Sequence, residues 1–160
     1  MNEKKIKVSI IVPVYNEEKT LHLILEKINE QNITGIKMEI IIVNDGSTDN
    51  SLNILKEFSH LYHKLINLEK NKGKGGAVRE GLKAATGEYI LFQDADMEYD
   101  PSEYGKLLEP IIKQDADIVM GSRLMTSSLT RRGGYSKNRI GNNFITALFN
   151  LLNHTKFSDI

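Results

Sequence analysis

Short apolar runs, several of them closed by a polar cluster, constrain this chain most. Residues 8–12, 38–43, 65–68, 89–92 and 117–120 are apolar and rich in β-branched side chains, and they read as strands. Between them the apolar residues fall at helical spacing. Residues 17–31 carry Leu21, Ile24, Leu25 and Ile28. A segment that Thr48 or Asp49 can cap carries Leu52, Leu55 and Phe58. A glycine-rich turn at 73–76 opens a helix to about Ala85, and Gly87 stops it. Pro101 and Ser102 open another, reaching Gln114. Near-continuous apolar strands alternating with helices predict an α/β fold, Rossmann-like, with a mostly parallel sheet covered by helices on both faces. The crossovers should be right-handed. Ligands of such sheets sit beyond the carboxyl ends of the strands, and three polar clusters fall there: 13–17, 44–49 and 94–98.

Composition narrows the class. The 160 residues suffice for one domain, and we read 1–160 as a single one. Equal numbers of acidic and basic residues, 21 of each, argue against a polyanion binder, and no nucleic-acid module accompanies the basic residues. Without cysteine there is no disulfide and no thiolate-ligated zinc or iron–sulfur site. No run approaches the length of a membrane-spanning helix. The apolar stretch 6–14 follows lysines but contains Pro13 and lacks a small-residue cleavage site, so it reads as the first strand. These features are compatible with a cytoplasmic protein.

The strand at 89–92 runs into Asp94-Ala95-Asp96. On an extended backbone, residues i and i+2 point to the same side, so the two carboxylates converge. Paired carboxylates make a hard-oxygen site for Mg²⁺ or Mn²⁺, which can in turn hold a diphosphate. The plain alternative is a solvated acidic turn before Pro101. The 73–76 turn is neither a Walker A loop nor a G-x-G-x-x-G fingerprint, yet a glycine-rich helix entry beside Lys72, Lys74 and Arg79 can hold a phosphate. A flexible turn with solvated lysines is its alternative. Asp45 ends a strand where an acid can accept hydrogen bonds from a ribose or base, or form an Asx turn with Gly46 and Ser47. Tyr15 can stack on a base or simply pack. The four histidines share no motif. From residue 121 the pattern becomes a loop with Arg131 and Arg132, then an apolar-faced helix over 137–153 that includes Lys137 and Arg139. That basic segment can meet an anionic acceptor or a membrane surface.

Five elements in order, Ile11-Val12-Pro13-Val14-Tyr15-Asn16-Glu17-Glu18, Val43-Asn44-Asp45-Gly46-Ser47-Thr48-Asp49, Asn71-Lys72-Gly73-Lys74-Gly75-Gly76-Ala77, Gln93-Asp94-Ala95-Asp96-Met97-Glu98-Tyr99-Asp100-Pro101 and Gly121-Ser122-Arg123, resemble family 2 glycosyltransferases of the GT-A fold. The likeness is greatest to the polyprenyl-phosphate branch, which includes dolichyl-phosphate mannosyl- and glucosyltransferases. It implies that Pro13, Tyr15, Glu17, Val43 and Asp45 meet the nucleoside. Asp94, Ala95 and Asp96 would hold metal and diphosphate, with Glu98 as a further ligand. Arg123 would face the donor phosphates or sugar and share the catalytic role with Asp94 and Asp96. Asn44 stands where many relatives have the first Asp of Asp-Asp-Gly-Ser.

The resemblance implies inverting, metal-dependent transfer of a hexose from a UDP- or GDP-hexose. No carboxylate stands out as a general base. That fits a lipid-phosphate acceptor gripped by Arg131, Arg132, Lys137 and Arg139 at the inner face of a membrane, since a phosphate monoester with its second pKa near ~6 is already ionised. Relatives continue past the position of Ile160 into an acceptor segment, an equally simple reason for the missing base. Transfer to a glycan hydroxyl is the nearest alternative. A sugar-1-phosphate nucleotidyltransferase would carry a basic glycine-rich signature where this chain has Pro-Val-Tyr-Asn-Glu, and a non-catalytic nucleotide-sugar binding module is the third.

Overall fold

The structure, a computed structural model, describes residues 5–121. The chain divides into two compact units, Met1–Asp117 and Ile118–Ile160, and the fold described here is that of the first. Its elements are β1 Ile6–Val14, α1 Leu21–Asn29, β2 Ile36–Asn44, α2 Ser51–Glu57, β3 Lys64–Asn67, α3 Gly73–Ala84, β4 Tyr89–Phe92 and α4 Tyr104–Ile112.

The four strands form one sheet in the order β3-β2-β1-β4, and every neighbouring pair is parallel. β1 and β2 pair along their whole length, from Ile6 opposite Ile36 to Val14 opposite Asn44. Both central strands are buried on both faces, which explains their unbroken apolar sequences. On one face Val8, Ile10 and Val12 pack with Leu21, Ile24, Leu25 and Ile28 of α1, Leu55 of α2 and Leu108 of α4. On the other, Ile11, Ile41 and Val43 pack under Ala77 of α3. Gly81 lets α3 lie close to the sheet, because a Cβ there would come within 2.5 Å of an Ile11 methyl. The strand order reverses between β1 and β4, and a crevice opens at such a switch point.

Two expectations change. The helix expected from residue 17 begins at Leu21, and the residues before it form a turn in which the Glu17 carbonyl accepts from the Thr20 and Leu21 amides. Residues 117–120 are not a strand: an apolar β-branched run becomes one only where a neighbour completes its ladder, and none does among the described residues. No helix among the described residues is long and apolar enough to cross a membrane.

Near the amino ends of the strands sits a polar knot. Glu39 accepts from Ser9 Oγ at 2.5 Å, Lys7 Nζ at 2.7 Å, and both the amide and hydroxyl of Thr86. Lys7 also reaches the Thr86 hydroxyl, and the Gly87 amide donates to Ser9 Oγ at 2.8 Å. Burial alone would push the Glu39 carboxyl up, but the hydrogen bonds from Lys7, Ser9 and Thr86 outweigh it and hold it at about 2, below the ordinary 4.5. At the opposite edge Gly46 has φ +67, and a Cβ there would lie 2.7 Å from the Asn71 amide nitrogen and 2.8 Å from the Lys70 carbonyl carbon.

Because the folded value for Glu39 is depressed, its stabilisation is complete above about pH 4.5 and is lost as pH falls through 4.5 towards 2. Glu39→Gln should therefore cost ~1–2 kcal/mol at pH 7 in urea unfolding, with the penalty shrinking as pH drops below 4.5. A penalty independent of pH would contradict this. Gly46→Ala should cost ~2 kcal/mol or more, through left-handed strain and a backbone collision, read as a lowered thermal midpoint.

Candidate functional site

The loops after β1 and β2 are stitched together. The Asn16 amide donates to Ser47 Oγ at 3.1 Å, and the Thr48 amide donates to Asn16 Oδ1 at 2.8 Å. The Glu17 amide donates to Ser51 Oγ, the Glu18 amide to Asp49 Oδ2 and the Asn50 amide to Glu18 Oε2. Asn16 makes this geometry at φ +56, a left-handed conformation that asparagine tolerates. Burial pushes the Asp49 carboxyl up, but bonds from Ser51 and the Glu18 amide outweigh it and leave it lowered. Many polar residues of both clusters thus hold backbone rather than ligand, and they hold it rigidly.

Asp45 is 2% exposed and ends the floor of the site. Its Oδ1 accepts from the Lys72 amide at 2.8 Å, which pins the entry to α3 over the end of β2. The Asx turn expected of Asp45 is made by its neighbour: Asn44 Oδ1 accepts from the Ser47 amide at 3.3 Å while its NH₂ donates to Asn67 at 2.6 Å. Asn71 Oδ1 accepts from the Gly73 amide and starts α3.

Beyond β4 the extended backbone continues one ladder bond further, from the Gln93 amide to the Ile11 carbonyl. Burial then alternates: Leu91, Gln93 and Ala95 point inwards, and Phe92, Asp94 and Asp96 do not. Gln93, 2% exposed, organises the adjoining loop. Its NH₂ donates to the carbonyls of Asp94 and Tyr99, and its carbonyl accepts from Tyr104 Oη at 2.8 Å. Burial raises the Tyr104 phenol, which stays a protonated donor. The 94–99 loop is therefore wrapped around one buried amide. Asp96 Oδ1 accepts from the Glu98 amide, and Met97 turns at φ +66.

The loops after β1, β2 and β4 and the entry to α3 form a cleft of about 330 Å³, lined by Pro13, Val14, Tyr15, Glu17, Asp45, Asn71, Gly73, Lys74, Ala77, Asp94, Ala95 and Asp96. That is the scale of a small-ligand site. Tyr15, 46% exposed, offers a ring face. Asp94 is bridged by Lys74, whose Nζ lies 2.6 Å from Oδ1 and 2.8 Å from Oδ2. Among the described residues no three carboxylates or imidazoles converge as a metal site. Two carboxylates nevertheless suit Mg²⁺ or Mn²⁺, which commonly take one or two from the protein and the rest from phosphate and water.

Of the residues expected at the site, Pro13, Tyr15, Glu17, Asp45, Lys74, Asp94, Ala95 and Asp96 come together in this cleft. Val43 does not reach it, being buried beneath α3. Lys72 contributes its amide to Asp45, while its ammonium pairs with Glu80 at 3.2 Å. Arg123, Arg131, Arg132, Lys137 and Arg139 lie outside the described residues. Sequence reasoning assigns no separate role to Gln93, Asn16 or Asn71. Continuing the alternation of β4 past Phe92 would have found Gln93 pointing inwards.

Comparison with known proteins agrees with this geometry. The sequence profile of glycosyl transferase family 2 matches residues 9–159. The dolichol-phosphate mannosyltransferase of Pyrococcus furiosus is 38% identical over 118 residues, 73% of this chain and 33% of that protein. S. aureus TarS 1–349, solved with UDP-GlcNAc, superposes with a TM-score of 0.63 and 28% identity over 80% of this chain and 36% of that one. The mannosyltransferase PcManGT from Pyrobaculum calidifontis, solved with GDP-Man and Mn²⁺, gives a TM-score of 0.51 and 26% identity over 57% and 28% of the two chains. The chain thus spans about a third of the length of these relatives. With residues 9–159, nearly its whole length, matched by that profile, this chain belongs to glycosyl transferase family 2.

Proposed function

We propose that the cleft binds a nucleoside diphosphate sugar with Mg²⁺ or Mn²⁺, and that the chain forms the donor half of an inverting hexosyltransferase. The observation that carries this is the placement of one buried carboxylate, Asp45, and two more open ones, Asp94 and Asp96, in the same cleft. Among the described residues Asp45 spends only Oδ1 on the protein, which leaves Oδ2 to accept an N–H from a base. A base edge lacking that N–H would leave the buried oxygen unpaired, a source of selectivity. Tyr15 supplies the surface on which the base stacks. Gly73 and Lys74, at the start of α3, meet the diphosphate with backbone N–H groups and positive charge.

Asp94 and Asp96 would hold the metal, which when bound supplies charge neutralisation on the departing diphosphate. The anomeric carbon gains oxocarbenium character as that bond breaks, and these carboxylates favour positive charge nearby. The acceptor attacks from the opposite face. A polyprenyl phosphate fits as acceptor because it arrives ionised and needs no base, and the likeness to a dolichol-phosphate mannosyltransferase supports it. Arg131, Arg132, Lys137 and Arg139 would grip its phosphate at the cytoplasmic face of a membrane, with Arg123 on the donor side.

A thermal-shift panel of UDP-, GDP- and TDP-sugars, each with and without Mn²⁺, tests the reading. One base class should stabilise the protein by ~2.7 kcal/mol at one hundred times its dissociation constant, and more with Mn²⁺ than without. Asp94→Asn should abolish the Mn²⁺-dependent part. No response to any sugar nucleotide, or an undiminished Mn²⁺ effect in the variant, would contradict it.

A further inference from the structure

The Lys74–Asp94 pair raises a question that donor binding alone does not answer. The ammonium straddles both oxygens of a carboxylate that the proposed metal site needs. A metal coordinated to Asp94, at roughly 2.0–2.1 Å for Mg²⁺, would stand against that ammonium and be repelled by its charge. The lysine is not placed there for the helix: it lies in the first turn of α3, where the macrodipole disfavours a cation, and no acid in that turn offsets it. Lys72, close in sequence, is held by Glu80. Lys74 also borders a second cleft of about 330 Å³, with Val78, Phe92 and Tyr99. Its side chain is 67% exposed, so the head group can leave Asp94 without moving the backbone.

We propose that Lys74 is a placeholder cation. In the donor-free protein it neutralises Asp94. When a metal–nucleoside diphosphate enters, the metal takes the carboxylate and the ammonium transfers to the non-bridging oxygens of the diphosphate. This rests on the donor site described above. The exchange balances: one cation leaves Asp94 as another arrives, and the freed ammonium meets the negative charge that came with the metal. The metal alone therefore binds weakly, because it must displace Lys74 with nothing to receive it. Metal and nucleotide bind cooperatively, each strengthening the other by the same factor.

The test uses Lys74→Met in the full chain. Mn²⁺ alone is titrated by the electron paramagnetic resonance signal of the free ion. UDP and GDP are titrated by calorimetry at saturating Mn²⁺. The variant should bind Mn²⁺ alone about three- to fivefold more tightly, since an exposed ion pair no longer competes. It should bind the preferred nucleotide about tenfold more weakly, having lost a charge-assisted contact to phosphate. Opposite signs in the two titrations are the signature. Mn²⁺ affinity unchanged or weakened in the variant would overturn the placeholder role while leaving the donor site standing. Absence of any Mn²⁺ and nucleotide binding to the unaltered protein would overturn both.

Discussion

The parallel pairing of β1 with β2 is the constraint on which the rest of the structure depends. The two strands are in register along their whole length and end together at Val14 and Asn44. Their loops therefore emerge side by side, and Asn16, Ser47, Thr48, Ser51 and Asp49 can close the hydrogen bonds that stitch them. A slip of one residue would separate these partners. The same pairing leaves the other edge of β1 for β4, and that reversal of strand order opens the cleft.

The cleft is built on two different principles. At the β2 end a buried carboxylate is retained because it holds backbone: Asp45 fixes the Lys72 amide, and Gly46 permits residues 70–71 to pass close by. At the β4 end the carboxylates are more open, and a buried neutral amide does the positioning. Gln93 satisfies two carbonyls of the loop that carries Asp94 and Asp96 and is itself held by Tyr104 from α4. A neutral amide suits this position, because a buried charge there would need a partner of its own. In the proposed reading, selectivity for the base lies with the buried end and cation exchange with the open one.

Much of this was legible in the sequence. The strands β1, β2, β3 and β4 announce themselves as apolar runs, and the two-residue period was enough to place Asp94 and Asp96 on one side. Two kinds of information were not legible. Pairing is one: residues 117–120 have a strand's composition but no ladder partner among the described residues. Partner choice among polar groups is the other. Asn16 and Glu18 belong to the first motif, yet their hydrogen bonds run to the neighbouring loop, and Lys72, a candidate phosphate cation, turns to Glu80. Such choices are made between segments distant along the chain, where local propensity carries no signal.

One end of the sheet, and not the other, is expected to receive a metal–nucleoside diphosphate. Paramagnetic broadening of backbone amide resonances by Mn²⁺ measures this directly, recorded with UDP and with GDP. The account predicts selective loss of signal for residues 94–98 and 73–75, a smaller effect at 13–17, and none around Lys7, Glu39 and Thr86. Broadening centred on that opposite edge, or spread evenly over the protein, would contradict it.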